Sequence, residues 1–160
     1  MRTGNDYHQY TEAELRLLEK ASRVMERREV YVGSVFSGPD RVFEYLRLNM
    51  EPLQREEFWI LWMDSQARLI EREVAFVGTI NTTSVFPREI VKSGLRANAA
   101  AAIFAHNHPS GETKPSTADR RLTASLVSAL SMVGIKVEDH VVIGRGRPHS
   151  FLMAGELCAR

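Results

Sequence analysis

The sequence predicts an α/β fold of three layers, a β-sheet with helices on both sides, and three observations carry that expectation. Strand-like and helix-like stretches alternate along the chain at intervals suited to such layers. Phe58-Trp-Ile-Leu-Trp-Met63 is an unbroken apolar run, the mark of a strand buried on both faces. Between residues 116 and 133, Ala118, Leu122, Leu126, Leu130 and Val133 fall on a single helical stripe.

The 160 residues suffice for one domain with a real core. An apolar fraction of 44% and a charged fraction of 26% argue against disorder. The formal net charge of +1 demands neither nucleic acid nor an anionic membrane as partner. Cys158 is the sole cysteine, so no intrachain disulfide can form, which fits a reducing cytoplasm. No secretory signal opens the chain, and no window approaches the roughly 20 apolar residues of a membrane helix. A cytoplasmic protein without a membrane partner is the expectation.

The elements follow in order. Residues 1–37 are expected to form an N-terminal helical extension and 38–160 the domain proper. Thr11-Glu-Ala-Glu14 has the capping-box pattern, and Leu15, Leu18, Ala21 and Met25 continue it as a helix to about Arg28. Asp40 to about Met50 predicts a second helix, with Val42, Phe43, Leu46 and Leu48 turned partly inward. After the strand at 58–63, residues 67–79 predict one or two more strands, the first antiparallel across a turn at Asp64 to Gln66. Pro87 suits the first turn of a helix that carries Ile90, Val91 and Leu95 and stops near Asn98. Residues 99–105 are read as a strand, 116–133 as a helix ended by Gly134, and 135–137 and 141–143 as two short strands.

The chemistry concentrates in His106-Asn-His108-Pro109-Ser-Gly-Glu-Thr-Lys-Pro-Ser116-Thr-Ala-Asp119. Residues two apart share a side of a strand, whereas on a helix they diverge by roughly 200°. Two imidazoles at that spacing, ending an apolar strand, therefore converge on one point, and this is why 99–105 is read as a strand. Pro109, Gly111 and Pro115 force an irregular loop, which delivers Asp119 to the first turn of the next helix. Two neutral imidazoles and a carboxylate suit Zn²⁺, one per chain, with a fourth position left for water. Such a water ionises near pH ~7, so the pattern is that of a hydrolase rather than a closed structural site.

His-x-His-Pro followed by Ser116-x-x-Asp119 resembles the signature of the JAMM (MPN+) metalloproteases. His-Asn-His-Pro-Ser-Gly, Pro-Ser-x-Ala-Asp-Arg-Arg-Leu-Thr, Gly78-Thr-Ile-Asn81, Pro87-Arg-Glu-Ile90 and Asp139-His140 resemble its bacterial RadC-type branch. The likeness spans roughly residues 38 to 152. It implies a central mixed β-sheet flanked by helices, the JAB/MPN architecture, cytidine-deaminase-like in outline. It further implies that His106, His108 and Asp119 bind the metal, that Ser116 donates to the oxyanion, and that a glutamate just before the first core strand takes a proton from the attacking water. The matching residue is Glu57; Glu56 is one position off and faces the other way on an extended chain. Residues 1–37 are too short for the helix-hairpin-helix region of full-length RadC proteins, so the chain looks like the short RadC-like proteins of bacterial mobile elements. Met153 departs from the family's Ser-Phe-x-Glu pattern.

Each assignment has a plainer competitor. Ser116-x-x-Asp119 is also a helix-capping pattern, compatible with catalysis because a serine can accept through one lone pair and donate its proton elsewhere. His140 is either a residue behind the site or a buried, hydrogen-bonded histidine, and His149 and His8 default to the surface. Arg120-Arg121 and Arg145-Gly-Arg147 are a solvated face or contacts for phosphates or an acidic peptide. Trp59 and Trp62 fit an interface as well as a core. Three functions compete: a metallopeptidase or isopeptidase acting on a peptide or protein, a RadC-like DNA-repair-associated protein acting on or binding DNA, and a scaffold that has lost its ligands. The complete ligand set argues against the third. One ligand set, where nucleases commonly use two metals ~4 Å apart, argues against the second.

Overall fold

The structure, a computed structural model, describes residues 11, 13, 16, 17, 36, 38–78 and 85–157. The helix expected from Thr11 to Arg28 lies outside these residues, isolated positions apart, and so do His8 and Cys158. The chain divides into two compact units, Met1–Val32 and Gly33–Arg160, and the fold that follows belongs to the second. Among the described residues, no helix is long and apolar enough to cross a membrane.

Its elements are α1 (Pro39–Met50), β1 (Glu57–Met63), β2 (Leu69–Val77), α2 (Pro87–Arg96), β3 (Ala101–Asn107), α3 (Thr117–Ser131), β4 (Lys136–Ile143) and β5 (His149–Ser150). The five strands form one mixed sheet in the order β2-β1-β3-β4-β5. Only β3 and β4 run parallel, as the crossover through α3 requires; the other neighbours are antiparallel. The α/β architecture expected from the sequence is the one observed.

β1 and β3 sit inside the sheet, and nearly every residue of both is buried. Phe58, Ile60 and Trp62 point to the same side as Ala102 and Phe104, where Ile90 of α2 and Leu122, Leu126 and Leu130 of α3 complete the core. Burying each large side chain here stabilises the fold by about 2 kcal/mol. Both tryptophans are buried, Trp62 fully in this core and Trp59, 4% exposed, on the other face of the sheet. On α1 the inward residues are Val42, Tyr45, Leu46 and Met50, while Leu48, expected inside, is exposed.

The 67–79 stretch, expected to hold one or two strands, holds one, Leu69–Val77, whereas the two short strands expected at 135–137 and 141–143 are a single strand, Lys136–Ile143. In each case the pairing register shifts mid-strand, between Phe58 and Trp59 and between Trp62 and Met63 opposite β2, and between Ala102 and Ile103 opposite β4. An extra residue interrupts the period-two alternation without ending the strand. The turn at 64–68 follows the expected plan, with Asp64 accepting backbone bonds from Gln66 and Arg68 and Ala67 taking φ 57°.

Gly94 lets α2 reach the sheet. A Cβ there would lie 2.7 Å from Ile135 Cδ1 and 2.9 Å from Trp62, two side chains with nowhere to move. Gly94→Ala should destabilise the protein by about 1–3 kcal/mol through overpacking. Urea denaturation should show this as a lower midpoint with an unchanged m-value.

Candidate metal centre

The site lies where β3 ends and α3 begins. Ser116 is the N-cap of α3: its Oγ accepts from the Asp119 amide at 3.1 Å, and its own amide donates to Asp119 Oδ2 at 2.6 Å. This reciprocal cap pins Asp119 in the first helical turn, where the helix dipole favours an anion. Burial raises the Asp119 carboxyl, but its hydrogen-bonding neighbours outweigh it and hold the group far below the ordinary carboxylate range. The serine's bond to Asp119 uses a lone pair, so its hydroxyl hydrogen remains available to a substrate.

His106 is fully buried at the end of β3, and His108 is partly exposed two residues on. Their Nε2 atoms lie 3.0 Å apart. Asp119 Oδ1 is 3.6 Å from His106 Nε2, and Oδ2 is 3.8 Å from His108 Nε2. His108 Nδ1 sits 2.8 Å from the Glu112 carbonyl oxygen, which can only accept, so the ring's proton is on Nδ1 and Nε2 carries a bare lone pair. His108 Nε2 and the Asp119 carboxylate are thus acceptors converging on one point, with His106 Nε2 beside them. A donor set of two imidazoles and a carboxylate fits zinc.

The fourth member of the group is Glu56. One ligand atom from each of Glu56, His106, His108 and Asp119 lies within 4.8 Å of all the others. The structure therefore brings Glu56, and not Glu57, to the histidines. The register explains the exchange: Phe58 lies opposite His106, so the face that carries His106 carries residues of even number in this segment. Glu57 turns to the other face, where its carboxylate accepts the Trp59 indole N–H at 2.7 Å, with the Arg72 guanidinium over that same indole ring. The two adjacent glutamates do face opposite ways, as an extended chain requires, but the one expected from the sequence is on the wrong face.

Asn107, between the two histidines, is a contributor that sequence reasoning missed. Its side chain accepts from the Glu57 amide at 2.9 Å and donates to the carbonyls of Arg55 at 2.9 Å and Leu53 at 3.4 Å. The Glu56 carbonyl accepts from the Gly78 amide at 2.7 Å. Together these bonds clamp the backbone on either side of Glu56. The loop after His108 is tied down as well, by His108 N to Ile143 O and Arg145 N to Gly111 O, both 2.8 Å. Gly144 permits this approach, since a Cβ there would meet the Gly111 carbonyl oxygen at 2.5 Å.

His140 is fully buried beside His106, and burial pushes it well below the ordinary histidine range. His149 is partly buried near Glu156 rather than free on the surface. Arg120 pairs with Glu156 and lies over Phe151, so its charge is engaged away from the site.

A family model described as a RadC-like JAB domain matches residues 36–156. The chain is 48% identical to UPF0758 protein YkfG of Escherichia coli strain K12 over 92% of its own length and 93% of that protein's. It is 45% identical to UPF0758 protein YeeS of the same strain, over 92% of this chain and 99% of the other. A longer UPF0758 protein of Pseudoalteromonas translucida is 48% identical over 87% of this chain, which spans 62% of that relative.

Elemental analysis of protein purified without added zinc should find about one zinc per chain. His108→Ala and Asp119→Ala, each removing a converging acceptor, should bring that figure close to zero while the far-ultraviolet circular dichroism is retained.

Proposed function

The chain belongs to the RadC-like JAB domain family, and from that membership and the site we propose a zinc-dependent hydrolase of the JAMM type, a metallopeptidase or isopeptidase. The observation that carries the proposal is the convergence of His106 Nε2, His108 Nε2 and the Asp119 carboxylate beside a glutamate whose backbone is clamped in place. His106, His108 and Asp119 would hold the zinc. When bound, zinc polarises a scissile carbonyl and acidifies water to a pKa of about 7.

The remaining work falls to the chain. Glu56 takes a proton from the attacking water on a carboxylate oxygen and returns it to the leaving amine, a general-base and then general-acid role. Its neighbours suit that role, because Asn107 and Gly78 hold the backbone on both sides and so fix where the side chain leaves it. The Ser116 hydroxyl hydrogen, which the helix cap leaves uncommitted, donates to the developing oxyanion. Asp119 remains ionised throughout because the Ser116 amide of the cap donates to its carboxylate and so favours the charged form.

A second reading, action on nucleic acid, has one observation in its favour. Arg55 precedes Glu56, Lys114 lies in the loop between His108 and Ser116, and Arg145 packs along Gly111; all three are exposed and none has an ion pair among the described residues. Cations in such positions suit phosphates as well as an acidic peptide. The single ligand set among the described residues still favours amide hydrolysis.

Glu56→Gln should keep the zinc and lower turnover by about 10²–10⁴-fold. Glu57→Gln should leave both within about threefold, because that carboxylate bonds an indole on the opposite face. A panel of peptides, isopeptide conjugates, plasmid and single-stranded DNA, run with wild type and Asp119→Ala, assigns the substrate. Cleavage of peptide or isopeptide bonds by wild type alone is expected; cleavage of DNA alone would overturn the peptidase reading.

A further inference from the structure

The proposed chemistry makes no direct use of His140, although it lies fully buried against the site. Its Nε2 is 2.8 Å from His106 Nδ1, and its Nδ1 is 2.6 Å from Thr123 Oγ1. Thr123 Oγ1 is in turn 2.6 Å from the Asp119 carbonyl oxygen. The links run from the side chain of one candidate ligand, through β4, to the backbone of another.

Heavy-atom positions do not by themselves say which nitrogen of an imidazole holds the proton. Here the far end of the chain decides. A carbonyl oxygen has no hydrogen, and two oxygens at 2.6 Å with none between them repel, so Thr123 gives its single hydroxyl hydrogen to Asp119. Thr123 Oγ1 can then only accept from His140, which must be protonated on Nδ1. A doubly protonated His140 does not suit its surroundings, the rings of Phe58, Phe104 and Phe151 at 5.5, 6.0 and 4.7 Å, where an unpaired cation would be costly. With a bare Nε2, His140 accepts from His106 Nδ1–H. His106 Nε2 is left without a hydrogen and faces His108 Nε2 and Asp119.

We propose that Thr123 and His140 are positioning residues that fix the tautomer of His106, reading it from the Asp119 backbone carbonyl, so that His106 Nε2 points into the site unprotonated before any cation arrives. The inference rests on the metal-binding role of His106 stated above. His108 reaches the same state in one step, by donating directly to the Glu112 carbonyl. His106, whose Nδ1 meets His140 instead of a carbonyl, reaches it through two intermediaries. The ring also closes on itself, because the residue whose carbonyl sets the polarity is the one whose carboxylate completes the ligand set.

Two measurements test this, the first without any variant or metal. Long-range proton–nitrogen correlation spectra of the metal-free wild type near neutral pH should show both His106 and His140 as Nδ1–H tautomers. Thr123→Val, which keeps the shape and removes the hydroxyl, should leave His106 a mixture. Zinc affinity, read by competition with a chromophoric chelator, should fall about 10–100-fold in Thr123→Val and His140→Leu. His140→Gln, able to accept from His106 and donate to Thr123, should recover most of that loss. An Nε2–H tautomer at His106 in wild type, or unchanged spectra and zinc affinity in Thr123→Val, would overturn the relay while leaving the zinc site intact. Wild-type protein with both Nδ1–H tautomers but no zinc affinity would support the relay and overturn the hydrolase reading instead.

Discussion

Phe58 pairs with His106 across the two inner strands, and that register governs what can meet at the end of the sheet. It puts Glu56 on the face of His106 and sends Glu57 to the other. It sets β3 to end beside the loop that carries His108, and so gives α3 its starting point. A slip of one residue between β1 and β3 would exchange every side chain between faces. The apolar residues on both faces of both strands hold the register, since Phe58, Ile60, Trp62 and Phe104 on one side and Trp59, Leu61, Met63 and Ile103 on the other would all have to repack.

A core that includes His106, Asn107, Asp119, Thr123, Asp139 and His140 carries an unusual polar load for so small a domain. Burial of such groups is tolerable only when they are bonded. Each is: Asn107 serves three backbone groups, and Asp139 accepts from Ser150 Oγ and from the amides of His140 and Leu152. Burial raises the Asp139 carboxyl, with the bonds from Ser150, Leu152 and His140 opposing the shift. The exception is the point between the two Nε2 atoms and Asp119, where acceptors face one another. Acceptors opposed at that one point, among buried groups that are bonded on their other sides, make a place suited to a cation.

Most of the architecture was legible because long periodic segments announce themselves. The stripe of Leu122, Leu126 and Leu130, the apolar run of β1, and Pro87 opening α2 all behave as their patterns suggest. The convergence of His106, His108 and Asp119 was legible from spacing, because period two on a strand and a capped first helical turn are both local properties. The choice between Glu56 and Glu57 was not. It depends on a pairing partner 48 to 50 positions away, and a strand buried on both faces offers no hydrophobic alternation from which to read its parity. Asp139 and His140 interrupted an apolar pattern and so suggested two strands, whereas their polar groups are paired inside a single one. Asn107 stood between two conspicuous histidines, and its work, bonding a loop some fifty residues earlier, has no local signature.

The central claim is that His106 Nε2, His108 Nε2 and the Asp119 carboxylate form the coordination site of one cation. The most direct measurement is an anomalous difference map from zinc-loaded crystals, recorded above and below the zinc absorption edge. A single strong peak about 2.0–2.2 Å from those three groups is the predicted result. Zinc found only elsewhere on the molecule, or no peak in crystals with the site intact, would contradict it.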